Sequence, residues 1–105
     1  MRFLQLPGPG KQLGLWLDGL DTLICGQLYH PSYPSLYSLR GTEPRDPVQW
    51  VHSLDTARYL RPEVLLPSHA DWMEGRDSIF QVLTDYRYKL IYLAIYLSAL
   101  HIIQK

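Results

Sequence analysis

Residues 46–77 read DPVQWVHSLDTARYLRPEVLLPSHADWMEGRD, and the order of signals in this stretch decides the fold. Asp46 can cap a helix, Pro47 suits the first helical position, and Gln49 stands where a capping-box partner reaches back. Val51, Leu54 and then Ala57 or Arg58 recur at helical spacing. Arg61-Pro62 ends the run, because a proline pushes the residue before it out of helical geometry. The next segment, EVLLP, is short, apolar and bounded by prolines, which fits a buried strand. It empties into SHADWMEG, a polar loop. A second helix starts near Gly75 to Ser78 and can run to the C-terminus, with Ile79, Val82, Leu83 and Tyr86 as its early inner face. Helix, strand, loop and helix in this order make an α/β layered pattern.

Working upstream, residues 26–45 (GQLYHPSYPSLYSLRGTEPR) form a long irregular connection with three prolines and two glycines. A connection of that length without an element of its own is often functional. Before it, residues 13–25 (LGLWLDGLDTLIC) read as a hairpin. Asp18-Gly19 is a pair suited to a two-residue type I′ turn between apolar runs. Those runs are apolar at most positions instead of alternating strictly, so the strands are expected to be buried on much of both faces. Two prolines and two glycines in LPGPGKQ (6–12) mark a loop or incoming linker. The domain reading is therefore 1–11 linker, 12–87 an α/β unit, and 88–105 an apolar tail, helical in pattern. Three strands and two helices leave a sheet with an unpaired edge and an uncovered face.

Composition narrows the function classes. The 105 residues include ten basic and ten acidic side chains, giving zero formal charge and a pI near 6.9. That neutrality argues against broad electrostatic binding to nucleic acid or to an anionic membrane. The single cysteine, Cys25, excludes an internal disulfide framework and a cysteine-based zinc cluster. At the N-terminus Pro7 breaks FLQL well short of the apolar core a signal peptide needs. From Leu90 to Ile103 the only polar side chains are tyrosines, Ser98 and His101. That run is shorter than the ~20 residues of a membrane span, so a buried helix is expected, with a tail anchor as the competing reading.

Chemistry-bearing residues are few. His52 lies mid-helix and His101 in the apolar tail, where surface or core roles suffice. His30 sits in the long loop. His69 differs, because it follows a buried strand at the carboxyl end, where α/β folds place their sites. No H-E-x-x-H, C-x-x-C or H-x-H-x-D-H spacing accompanies it, and a catalytic zinc wants at least three protein ligands. No phosphate-cradling glycine loop or nucleophile elbow is present. Arg40 and Arg45, five residues apart in the loop, can clamp a tetrahedral oxyanion through their guanidinium forks. They can equally pair with Glu43 and Asp46.

Taken together, residues 35–87, SLYSLRGTEPRDPVQWVHSLDTARYLRPEVLLPSHADWMEGRDSIFQVLTDYR, resemble the alkyl sulfatases of the metallo-β-lactamase fold superfamily. The resemblance rests on the LYSLRG…RD loop, a Trp-bearing helix, a strand ending in Ser-His, a glycine-marked turn and a helix ending in Tyr-Arg. The hairpin of residues 12–27 fits the family's strand pair with weaker identity. This implies a partial metallo-β-lactamase-like αββα sandwich, the latter part of that domain. It also implies a parent hydrolase that cleaves sulfate esters of long-chain alcohols with two zinc ions, a metal-bound water and positive groups on the sulfate. By the same resemblance His69 takes a zinc-ligand position, and Arg40 and Arg45 the sulfate-holding positions.

The departures carry expectations of their own. The family's H-x-H-x-D-H motif does not occur in these residues. An acidic ligand at the end of the second hairpin strand aligns with Gln27, another aligns near Gly8, and the loop asparagine is Ser35. His69 is thus the one ligand position retained, which does not hold two zincs. After Arg87 the chain turns to YKLIYLAIYLSALHIIQK, where the family helix stays polar. The leading expectation is a fragment or truncated gene product of an alkyl sulfatase relative, inactive alone, with a last eighteen residues foreign to the domain. The alternatives are a non-catalytic relative that lost its metals, and a small membrane-attached interaction protein using residues 90–103.

Overall fold

The structure is a computed structural model, and residues 1–7, 13–31, 47–68 and 70–103 are described, without the side chain of His101. Five strands form one mixed sheet in chain order: β1 (Arg2–Gln5), β2 (Leu13–Leu17), β3 (Thr22–Gly26), β4 (Val64–Pro67) and β5 (Met73–Glu74). Two helices complete the described fold, α1 (Pro47–Leu60) and α2 (Arg76–Ile103). β1 and β2 pair antiparallel, as do β2 with β3 and β4 with β5, whereas β3 and β4 are parallel and enclose α1 between them. A parallel pair needs a crossover, and α1 supplies it.

Alternation along the strands separates two sheet faces. Trp16, Leu23, Cys25 and Leu65 point to one of them, where they form a single buried cluster with Trp50, Leu54 and Ala57 of α1 and Ile79, Leu83, Tyr86 and Leu90 of α2. Both helices therefore cover the same face. The cross-strand row Phe3–Leu15–Ile24–Leu66 lies on the other. Phe3 and Leu13 on that face are 69% and 62% exposed. Among the described residues no helix covers that face, and the sheet is apolar on both sides.

Helix α1 begins at the expected Pro47 and ends at Leu60. Beyond it Arg61 adopts a left-handed φ of 47° before Pro62. Helix α2 runs without interruption through Arg87 and Tyr88.

Three local expectations need correction. The two-residue turn at Asp18-Gly19 is a longer connection, a 3-10 turn over Asp18–Leu20 closed by Asp21 at φ 46°. Side-chain bonds favour it: the Asp18 carboxylate accepts from Trp16 Nε1 at 2.8 Å, and Arg76 holds Asp21. The segment read as an incoming linker contains edge strand β1, and its Leu6 is fully buried. Gly14 makes room for Leu6, since a Cβ there would stand 2.3 Å from Leu6 Cδ1. Finally, the polar loop after β4 contains β5, whose two residues are too few for a periodicity signal.

Candidate functional site

The carboxyl ends of the parallel pair β3–β4 are where the fold can gather loop residues on a rigid frame. Their register steps from Ile24↔Leu66 to Gly26↔Pro67, so β3 inserts one extra residue, Cys25. This bulge turns the strand end, and Gly26 completes the turn at φ 60°, a conformation costly to other residues. The Ser68 N–H donates to the Gly26 carbonyl at 2.9 Å, tying the two exits together. Gln27 follows the first exit, is exposed, and lies one residue past that bond. Residue 69 follows Ser68 directly in the chain.

A rigid floor supports this edge. The Leu28 N–H donates to the Cys25 carbonyl at 3.1 Å, closing the turn after β3. The Leu28 carbonyl accepts from Trp50 Nε1 at 2.9 Å inside the core. Tyr29 packs edge-on against Tyr86 with ring centroids 5.0 Å apart, and Trp50 lies 6.2 Å from the same ring. The turn is thus bolted to both helices. Burial pushes the Cys25 thiol up to about 12, and burial also raises Tyr29. A thiol held neutral is a poor nucleophile at neutral pH.

Of the residues singled out in the sequence, Arg40, Arg45 and His69 lie outside the described residues, as do Gly8 and Ser35. Gln27 and His30 lie within the segment that leaves β3, His30 half-buried. His52 is exposed on α1. Among the described residues no group of three or more His, Cys, Asp or Glu side chains could hold a metal ion. The Gln27 amide is a neutral donor and acceptor. The described residues therefore do not form a zinc centre.

The opposite end of the parallel pair carries an ionic lock that local sequence patterns do not flag. The Arg76 guanidinium donates to the Arg61 carbonyl and to Asp21 Oδ2 at 3.0 Å, and its Nε lies 3.5 Å from Glu63. The Asp21 carbonyl accepts from Glu63 N–H at 2.8 Å. One side chain at the start of α2 thus joins the turn before β3 to the turn before β4. Between the helices, Asp55 accepts from Arg58 at 2.8 Å and from Arg87 Nε at 2.6 Å. Arg87 belongs to the Tyr-Arg pair on which the resemblance partly rests, and its bond to Asp55 holds α2 against α1. Sequence separations of 55 and 32 residues hide both contacts from any local reading.

The fold has solved counterparts. The chain superimposes on the stereoselective inverting sec-alkylsulfatase Pisa1 from Pseudomonas sp. with TM-score 0.81 and 23% identity, over 97% of this chain and 17% of that one. A metallo-β-lactamase from Pontibacter korlensis matches with TM-score 0.58 and 20% identity, over 84% of this chain and 40% of that one. This is a metallo-β-lactamase-type fold. In sequence, the chain is 34% identical over 95 residues to the linear primary-alkylsulfatase of Pseudomonas sp. (strain ATCC 19151), covering 89% of this chain. It is thus similar in sequence to an alkylsulfatase and spans 18% of the length of that protein. No family model matches the chain.

Proposed function

We propose that this chain is a segment of a sulfuric-ester hydrolase of the alkylsulfatase type, and that alone it does not turn over an alkyl sulfate. The supporting observation is the joined exit of β3 and β4. The Ser68–Gly26 hydrogen bond joins the two strand exits, and Gln27 and His69 are the next residues in the sequence after the two bonded ones. Both are positions that the resemblance assigns to metal ligation. In this reading His69 is a retained zinc-ligand position, Arg40 and Arg45 hold the sulfate by bidentate hydrogen bonding, and alkyl sulfates are the substrate class. The two zinc ions of the family, and the water they activate, need ligands that this chain does not supply.

A second reading is favoured by one residue. Gln27 stands where the resemblance places an acidic ligand, and its neutral amide oxygen binds zinc more weakly than a carboxylate. A non-catalytic relative that kept the fold and lost its metals accounts for that substitution directly. No helix among the described residues is long and apolar enough to cross a membrane.

Elemental analysis of the purified chain after zinc loading, together with an alkyl-sulfate hydrolysis assay, tests the proposal. Substoichiometric zinc and no sulfate release are expected. Two bound zinc ions per chain with turnover would overturn it. Gln27→Glu separates the two readings when introduced into the longest open reading frame that contains this chain. Unchanged zinc content favours a missing upstream ligand set, and a gain in zinc favours a decayed site.

A further inference from the structure

Helices α1 and α2 pack antiparallel, their side-chain bonds running from Arg61–Asp77 through Arg58–Thr84 to Asp55–Arg87. About one helical turn beyond the last of these, a groove of about 250 Å³ lies between the two helices. Pro47, Val48 and Val51 of α1 line one wall, and Ile91, Ala94 and Ile95 of α2 the other. His52 borders it, and no Asp, Glu, Lys or Arg is among the described residues that line it. Val48 and Ile95 are 63% and 65% exposed, whereas Val51 and Ala94 pack against the core.

The charge next to this apolar groove is positive. Asp55 Oδ1 accepts from Arg58 at 2.8 Å and from Arg87 Nε at 2.6 Å, so two guanidiniums share one carboxylate oxygen. The trio therefore carries one excess positive charge. Arg58 and Arg87 both keep part of their side chains in solvent. The bond to Asp55 uses one of the five N–H donors of the Arg87 guanidinium.

We propose that the groove binds one molecule of a single-chain anionic amphiphile, with its alkyl chain between Val51 and Ile91 and its head group on Arg87. An uncharged trough ending at an excess positive charge complements such a molecule, apolar along its length and negative at one end. Size favours it as well. A cavity of ~150 Å³ holds a benzene molecule, and by the same measure the groove takes an alkyl segment of about ten carbons. A protein partner does not fit these dimensions. The α1 wall from Pro47 to Val51 spans roughly 6 Å of helix, and specific protein interfaces bury ~1,200–2,000 Å². The class of ligand is an alkyl chain bearing a sulfate, sulfonate or carboxylate head, each of which a guanidinium recognises through paired N–H bonds.

Isothermal titration calorimetry of the full chain with decanesulfonate, kept below its micelle-forming concentration, reads this out. Saturable one-to-one binding is expected. It should weaken about fourfold for each methylene removed down to hexanesulfonate and level off beyond about ten carbons. Val48→Gln and, separately, Ile95→Gln should each weaken it about fivefold or more. Both sites are exposed, so far-UV circular dichroism should be unchanged. Arg87→Gln should weaken octanesulfonate about tenfold and leave octanol binding unchanged. An equal loss for both ligands would mean that the variant only loosens the helices, and would overturn the proposal. So would the absence of saturable binding, affinity indifferent to the two rim variants, or uptake of many equivalents with loss of helical signal. Binding to phosphatidylglycerol vesicles that Ile95→Gln abolishes and decanesulfonate does not displace would overturn it in favour of a lipid surface. A sulfonate has no ester bond to hydrolyse and the titration contains no zinc, so none of these outcomes depends on the hydrolase reading.

Discussion

Cys25 illustrates how one side chain can belong to a site's frame without being part of its chemistry. It is the inserted residue of the β3 bulge, fully buried, and its thiol is pushed up to about 12 by desolvation. The folded state thus holds the thiol proton more tightly than the unfolded chain, whose thiol titrates near 9.0. Below that pH the group leaves stability unchanged. Above it, the unfolded chain loses its proton first, so stability falls by roughly 1.4 kcal/mol per pH unit until the folded thiol ionises. A thiol-reactive disulfide reagent at pH 8 should leave native Cys25 unmodified and label it fully in guanidinium chloride. Cys25→Ala should flatten the alkaline limb of a stability–pH curve. Rapid labelling of the native chain would contradict the burial.

At the scale of elements, the parallel pair is held differently at its two ends. The carboxyl ends are joined by one backbone bond, Ser68 to Gly26, and carry the residues that the resemblance links to chemistry. The amino ends are joined through the Arg76 guanidinium, which meets Asp21, Glu63 and the Arg61 carbonyl. Arg76 and its partners are each about half exposed, so the ion pairs are screened and contribute little individually. The bond to the Arg61 carbonyl has a larger consequence, since it stabilises a left-handed residue between α1 and β4. Arg76→Leu is expected to cost about 1–2 kcal/mol in urea unfolding, with part of that loss removed by added salt in the parent chain. An unchanged midpoint would show that solvent replaces all three contacts.

At the largest scale, the decisive feature among the described residues is a sheet that is apolar on both faces and covered by helices on one. Leu23 and Leu15 sit on adjacent strands with opposite orientation, the first fully buried and the second part-exposed. Leu23→Ala should destabilise the chain by about 2–5 kcal/mol, the usual cost of a core cavity. Leu15→Ala should stay below about 1 kcal/mol. Comparable losses from both, by denaturant unfolding at a concentration where the chain is monomeric, would mean that the open face is covered. The chain spans 17% of the alkylsulfatase on which it superimposes, and an open apolar face is what a part of a two-layered fold presents.

Local signals in the sequence determined the two helices, β4 and their order. Pro47 and Pro62 bracket α1, the apolar run between Pro62 and Pro67 contains β4, and the four-three spacing of Ile79, Leu83, Tyr86 and Leu90 sets the inner face of α2. They also carry the resemblance to the alkyl sulfatases, through motifs spread over residues 35–87. What tertiary structure alone decided depends on contacts between distant residues. β1 is a strand because β2 pairs with it, β5 because β4 does, and the turn at Asp18–Asp21 is long because Arg76 holds its last residue. The same holds for the candidate site. Gln27 and His69 are forty-two residues apart in the chain. A parallel register and one hydrogen bond bring Gly26 and Ser68, the residues that precede them in the chain, to one edge, because strand pairing acts across sequence distances that no local pattern encodes.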